Sequence, residues 1–380
     1  MPLSFDFLPL NRVVFGAGAL ARLGEIAREL GGRRALLVTD RGLELAGHPQ
    51  RAEKYLLEAG LEVVLFDDVK ENPTTLHVEA GVARARTTGV DLIVAVGGGS
   101  SMDCAKGINF LLTNGGRMAD YQGFGKATKP MLPSIGVPTT AGTGSEAQSY
   151  ALITDESSHL KMACGDKKAA FRVAILDPEL TVSQPRGVTA ATGIDAIAHA
   201  LEAFVCTKRN PVSHLFALAA WKHLEPNFER VIDDPADLAA RGAMQVGAHF
   251  AGVAIENAML GICHSCANPL TAHYGVDHGT AIGLLLPHVV RFNAAAAEHL
   301  YADLAAHNGL MNGEPASAIV ANRVADLVAR AGQPTRLRDC GVSESILPLL
   351  AVEACEQWTA QFNPRPVTED DLARVYRAAW

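Results

Sequence analysis

Asp91-Leu-Ile-Val-Ala-Val-Gly-Gly-Gly-Ser-Ser-Met-Asp103 is the stretch on which the fold turns. Its apolar run, residues 92–96, passes straight into Gly97, Gly98 and Gly99, and the residues after Ser101 suit a helix. A short unbroken apolar run bounded in this way reads as a strand buried on both faces. Glycines at its end let backbone amides approach a pyrophosphate with no Cβ in the way, and the helix N-terminus adds partial positive charge. Ser100 and Ser101 suit either a helix cap or a phosphate contact.

Working outward, residues 35–40, 61–66, 134–138 and 171–176 read as further strands, and residues 51–59 and 76–87 as helices between them. Strand, helix, strand at this rhythm implies a parallel sheet. From Thr189 the pattern changes to Ala-rich helical periodicity, with helices expected over 192–205, 211–224, 235–260 and 315–331. The boundary falls near Gln184-Pro185-Arg186-Gly187. The expected architecture is an α/β domain over residues 1–185 and an all-helical domain over 186–380.

Composition narrows the function classes. The 380 residues are 48% hydrophobic and 19% charged, enough for a large core. Lys and Arg total 33 against 41 Asp and Glu, a net charge of -8, and basic clusters are pairs such as Arg33-Arg34, so no nucleic-acid partner is expected. The first ten residues carry Asp6 and no basic residue, and no uninterrupted apolar run nears the roughly 18 residues of a membrane span. The expectation is a cytoplasmic protein with no membrane partner, its seven Cys serving as reduced thiols.

Two other hydroxyl- or glycine-rich stretches compete for a cofactor. Gly16-Ala-Gly18-Ala-Leu-Ala21 after Val13-Val14-Phe15 matches a dinucleotide fingerprint as well as it matches a tight turn before a helix over 19–30. Pro138-Thr-Thr-Ala-Gly-Thr-Gly-Ser-Glu146 places Thr139, Thr140, Thr143 and Ser145 after a strand, where open sheets bind ligands. Asp40 ends its strand, where a carboxylate accepts both ribose hydroxyls and repels a 2'-phosphate, favouring NAD over NADP.

The second half holds ligand spacing. Asp195 and His199 in Gly193-Ile-Asp-Ala-Ile-Ala-His-Ala-Leu-Glu202 are four apart, on one helix face, which fits a metal site and also a surface ion pair. His264 and His278 lie in Gly- and Pro-punctuated, mostly apolar surroundings that read as loops. One carboxylate with three neutral imidazoles suits Fe(II) or Zn(II) with open positions for substrate. Cys263 and Cys266 offer a thiolate zinc site as the weaker alternative. His273 and His288 are close enough in sequence to line the same cavity as His278. His48, His77, His159, His299 and His307 are expected in solvent, and His214, His223 and His249 as ordinary core or surface residues.

Taken together these motifs resemble the iron-containing, group III alcohol dehydrogenases over nearly the full length. The resemblance is carried by Phe15-Gly16-Ala-Gly18, Gly97 to Ser100 with Asp103, Pro138 to Glu146, Gly193-Ile-Asp195 with His199, and His278-Gly279. It implies a doubly wound N-terminal domain and an all-helical C-terminal domain, as in dehydroquinate synthase-like folds, with metal and cofactor facing each other across the cleft between them. Its implied metal ligands are Asp195, His199, His264 and His278. Its implied NAD contacts are Asp40, Asn72, Gly97, Gly98, Gly99, Ser100, Asp103, Thr139, Thr140, Thr143, Ser145 and Lys161. Many members have His where this chain has Asn268. With His264, His278 and His273, Asn268 completes the candidate catalytic set.

The implied activity is reversible, NAD-dependent oxidation of a small alcohol or diol to an aldehyde or ketone at one divalent metal, Fe(II) ahead of Zn(II). The implied assembly is a homodimer or larger homo-oligomer. The alternatives are a glycerol or hydroxy-acid dehydrogenase, or a metal- and NAD-dependent carbon–oxygen lyase resembling dehydroquinate synthase. Against the lyase, residues 257–287 contain no Lys or Arg to hold a phosphorylated substrate.

Overall fold

In the computed structural model, residues 5–158 and 160–380 are described. His159, expected in solvent, lies outside the described residues. Contacts divide the chain into one unit over Leu8–Gln184 and another containing Pro185–Trp380. Residues 5–7 cluster with the second unit, where the Phe7 ring lies 6.2 Å from that of Phe216. This departs from a division at 185/186 with the whole N-terminus in the first domain.

The first unit contains β1 (Arg12–Phe15), α1 (Leu23–Glu29), β2 (Arg34–Val38), α2 (His48–Glu58), β3 (Glu62–Phe66), α3 (Thr75–Thr88), β4 (Leu92–Gly97) and α4 (Gly99–Asn114). It continues through β5 (Gly123–Phe124), β6 (Ser134–Pro138), β7 (Tyr150–Thr154), β8 (Lys161–Gly165) and β9 (Val173–Leu176). Six strands form one parallel sheet in the order β1-β9-β6-β4-β2-β3. Alternation along the strands sends Leu36, Val38, Ile93 and Ala95 into one core with Val78, Val82 and Ile108 of α3 and α4. Ala35, Leu37, Leu92, Val94 and Val96 enter a second core with Ile26, Ala52 and Leu56 of α1 and α2. Helices thus cover both faces, which is why β4 shows no polar alternation. From β2 the chain passes to β3 on one side and then to β4 on the other. The strand order therefore reverses between β2 and β4, and a crevice forms at the carboxyl ends of those strands.

A second sheet, β5-β8-β7, was not anticipated. Its antiparallel pair β7 and β8 is separated in sequence by only six residues, and Lys161-Met-Ala-Cys-Gly165 lacks the β-branched residues that mark a strand. The helix expected over 19–30 is a 3-10 turn, Ala19–Arg22, followed by α1.

The second unit is α5 (Arg186–Val205), α6 (Pro211–Asp233), α7 (Leu238–Glu256), α8 (Ile262–Tyr274), α9 (His278–His307), α10 (Ala316–Arg330), α11 (Leu347–Glu356) and α12 (Glu369–Ala379). Among the described residues it holds no strand. Two of these helices, α5 and α9, are long and apolar enough to cross a membrane by length and composition, but both are mostly buried in the protein. They are its core. A Cβ on Gly279 would lie 2.2 Å from the Ala191 carbonyl oxygen, so only glycine allows α9 to start this close to α5. That approach brings His278 beside Asp195.

Candidate metal centre and dinucleotide crevice

On α5, Asp195, His199 and Glu202 recur at i, i+4 and i+7, one stripe of the helix, and all three are buried. His264 and His278 are not loop residues. His264 stands in the first turn of α8 and His278 opens α9, with Pro269 and Pro287 accommodated inside those helices. Three imidazole nitrogens converge on one carboxylate oxygen. His199 Nε2, His264 Nε2 and His278 Nε2 lie 3.4, 3.3 and 3.7 Å from Asp195 Oδ1. Ligands bound at about 2.0–2.1 Å in a tetrahedral site are about 3.3–3.4 Å apart, so the His199 and His264 separations match the edges of such a site and that of His278 is slightly longer. Asp195 Oδ1 and His264 Nε2 are buried without a hydrogen bond, a costly state unless a cation takes their lone pairs. Asp195, His199 and His264 offer ligand atoms within 4.8 Å of one another. The donor set therefore fits a divalent ion.

Electrostatics favour a cation as well. Burial raises the Asp195 carboxyl, but His199, with His264 and His278, outweighs it and holds the group well below the usual carboxylate range. Burial lowers His264, yet the Asp195 and Glu202 carboxylates on its two sides raise it to about 9. The Glu202 carboxylate accepts from His264 Nδ1 at 2.5 Å and from the Cys263 N–H at 2.7 Å. Glu202 received no role from sequence, although its place three residues after His199 was the available signal.

Other candidates separate from this centre. His273 is nine residues beyond His264 on α8, about 13 Å along the axis, and pairs with Glu353 at 2.8 Å. His288 is ten residues along α9 from His278, about 15 Å away, and lines a different cavity with Pro287 and Arg291. Neither joins the cluster. Burial raises the thiols of Cys263 and Cys266, the reverse of what a thiolate zinc site needs. Asn268 is half-buried on α8 and donates from Nδ2 to Gln357 Oε1 at 3.1 Å. His299 and His307 are exposed, and His77 closes the capping box of α3 with Thr74. The expectation of a solvated His48 fails, because it is buried and lies 2.7 Å from Ser183 Oγ.

In the first unit, the predicted cofactor residues gather at the carboxyl ends of the central strands. Asp40 follows β2 and Gly97 ends β4, on the two sides of the reversal point, and Ser101 Oγ donates to Asp40 Oδ2 at 3.3 Å. The Thr139 N–H donates to the Gly97 carbonyl at 3.0 Å, which fastens the loop after β6 to that after β4. Cβ atoms on Gly97 and Gly99 would meet Ser101 Oγ at 2.3 Å and Thr143 Cγ2 at 2.6 Å, and one on Gly98 would meet Thr140 at 3.2 Å. Gly98 caps α4, so Ser100 and the amides around it lie at a helix N-terminus, the arrangement that suits phosphate. Asp103 accepts from Ser145 Oγ at 2.6 Å, and burial raises its carboxyl against the opposing charge of Lys106. Lys106 Nζ lies 2.7 Å from Ser145 O, Ser145 Oγ and Tyr150 O and ties the hydroxyl-rich loop to α4. This buried lysine received no role from sequence. Asn72, the only non-glycine described residue with positive φ, accepts from Lys161 Nζ at 3.2 Å.

The competing glycines are already filled. Asp177, fully buried, accepts the Gly18 and Leu20 N–H groups at 3.1 and 3.0 Å, so a protein carboxylate occupies the turn of residues 16–21. That turn follows β1 at the sheet edge, far from the reversal point.

A family model for iron-containing alcohol dehydrogenase matches residues 10–178, and one for the C-terminal region of Fe-containing alcohol dehydrogenases matches residues 189–380. The chain belongs to the iron-containing alcohol dehydrogenase family. It is 37% identical to an NAD-dependent methanol dehydrogenase of Bacillus methanolicus, covering 98% of this chain and 99% of the relative. A 1,3-propanediol dehydrogenase of Citrobacter freundii is also 37% identical, covering 99% of each chain. A solved 1,3-propanediol oxidoreductase superposes with a TM-score of 0.96 at 37% identity, covering 99% of this chain and all of that one. As a member of this alcohol dehydrogenase family the chain is an oxidoreductase, and its doubly wound and all-helical parts agree with the solved members.

Proposed function

We propose that the chain reversibly oxidises a small alcohol or diol to the aldehyde or ketone with NAD as hydride acceptor, at one divalent metal held by Asp195, His199, His264 and His278. The convergence of three imidazole nitrogens on the buried Asp195 Oδ1 carries this reading. The relatives named as NAD-dependent methanol and 1,3-propanediol dehydrogenases support the cofactor and substrate class. The family's iron and a donor set free of thiolate favour Fe(II) over Zn(II). A homodimer or larger homo-oligomer in the cytoplasm accompanies this reading.

When bound, the cation supplies Lewis acidity that favours the alkoxide near neutral pH, and NAD supplies the hydride acceptor. The protein's own part is orientation. Glu202 fixes the His264 ring, and Gly97, Gly98 and Gly99 admit the pyrophosphate while Asp40 meets the ribose. The lyase alternative would need Lys208, Arg209 or Arg291 to fold inward as a phosphate clamp, and each is engaged elsewhere. Lys208 lies over the Phe362 ring, Arg209 bonds the carbonyls of Val205 and Cys206, and Arg291 bonds Pro287 and Asn322.

The test is NADH formation by the purified protein over short alcohols, diols and hydroxy acids, with and without added Fe(II). NADH stoichiometric with aldehyde is expected. Conversion of a phosphorylated sugar acid with NAD merely recycled, and no NADH from any alcohol, would overturn the reading.

A further inference from the structure

Along the first nine residues of α8, Ile262 to Leu270, every residue is buried except Asn268. The exception falls four residues after His264, so the two side chains leave one helix face a turn apart, about 6 Å along the axis. Asn268 is not a loose surface amide. Its bond to Gln357, from Nδ2 to Oε1 at 3.1 Å, fixes the orientation of both side chains.

The chemistry of this pair is selective. Each amide carries two donors and an acceptor, and the mutual bond uses one N–H and one oxygen. What remains suits a neutral partner that both donates and accepts, which describes a hydroxyl. A carboxylate or phosphate would find no Lys or Arg in residues 257–287 or 344–364, the segments that carry the pair. A plain alkyl end would leave amide groups desolvated without a partner, which is unfavourable.

We propose that Asn268, held in place by Gln357, is the specificity-determining contact for a second hydroxyl on the substrate, so that short diols are preferred over monoalcohols of the same carbon number. This rests on the alcohol dehydrogenase reading of the neighbouring metal centre. The pair recognises the distal end of the substrate while the reacting carbinol sits at the cation.

The experiment compares kcat/KM for 1,3-propanediol and 1-propanol in the metal-loaded wild type and in Asn268→Leu, Gln357→Met and Gln357→Glu, with bound metal measured for each. The wild type should favour the diol. Loss of one amide contact should lower the diol-to-monoalcohol ratio by about tenfold in Asn268→Leu and Gln357→Met, chiefly through KM, with metal content retained. Gln357→Glu keeps an acceptor for Asn268 Nδ2 and should hold the ratio within about threefold of wild type. If Asn268→Leu fails to fold, Gln357→Met at its half-exposed position carries the comparison. A wild type without diol preference, or a ratio unmoved in the folded variants, overturns the proposal. A wild type that makes NADH from neither compound instead contradicts the dehydrogenase reading beneath it.

Discussion

Glu202 Oε2 and His264 Nδ1 stand 2.5 Å apart inside the helical unit, with the other Glu202 oxygen committed to the Cys263 N–H. An acceptor on Nδ1 keeps the ring proton there and turns the Nε2 lone pair toward Asp195. Carboxylates that orient a ligating imidazole in this way are typically worth about 10–100-fold in metal affinity. Glu202→Ala should weaken divalent-metal binding by about that factor, read by competition with a chelating indicator. Unaltered affinity would remove Glu202 from the centre.

Removing a ligand outright should act more strongly. His264→Ala deletes the imidazole whose Nε2 is buried without a hydrogen bond, so metal and activity should be lost together while the circular dichroism of the fold persists. Elemental analysis that finds full metal occupancy in the variant would refute the assignment of His264 as a ligand.

These two residues also mark how far the sequence could be read. Asp195 and His199 were legible because helical spacing puts both on one face, and Gly97 to Gly99 because they end the most apolar strand. Both signals are local. The partnership of Glu202 with His264 spans 62 residues and depends on how α5 and α8 pack, which no periodicity records. His264 and His278 read as loop residues because glycine and proline surround them. Gly261 and Gly275 in fact bound α8, while Pro269 and Pro287 lie within helices. His48 looked solvated beside Gly47 and Pro49, but it is buried and meets Ser183 Oγ, 135 residues away.

Asp40 supplies a prediction for the other unit. It is half-buried at the end of β2, with Ser101 directed at it from the start of α4, at the place where an open sheet meets the ribose. A 2'-phosphate there would face a carboxylate at close range. Asp40→Gly should raise the NADP-to-NAD ratio of kcat/KM by about tenfold or more, since like charges a few ångströms apart in a partly desolvated site repel strongly. Unchanged cofactor discrimination would show that the ribose lies elsewhere.

Acid should destabilise the protein through one buried and three half-buried imidazoles. Burial pushes His48, His214, His223 and His288 below the usual value of 6.5, with Arg51, Arg209, Lys222 and Arg291 respectively adding to the effect. The unfolded chain takes up these protons near pH 6.5 and the folded chain only at lower pH. Unfolding is therefore accompanied by proton uptake below about pH 6.5, and stability falls as pH drops through the folded values; above 6.5 these groups give no pH dependence. His48 isolates the effect, since it is far in sequence from the metal ligands and bonds Ser183. Melting temperatures measured from pH 7.5 down to 5.0 should decline less steeply in His48→Asn than in the wild type, even if the variant starts lower. Parallel slopes would show that His48 takes up its proton without cost to the fold.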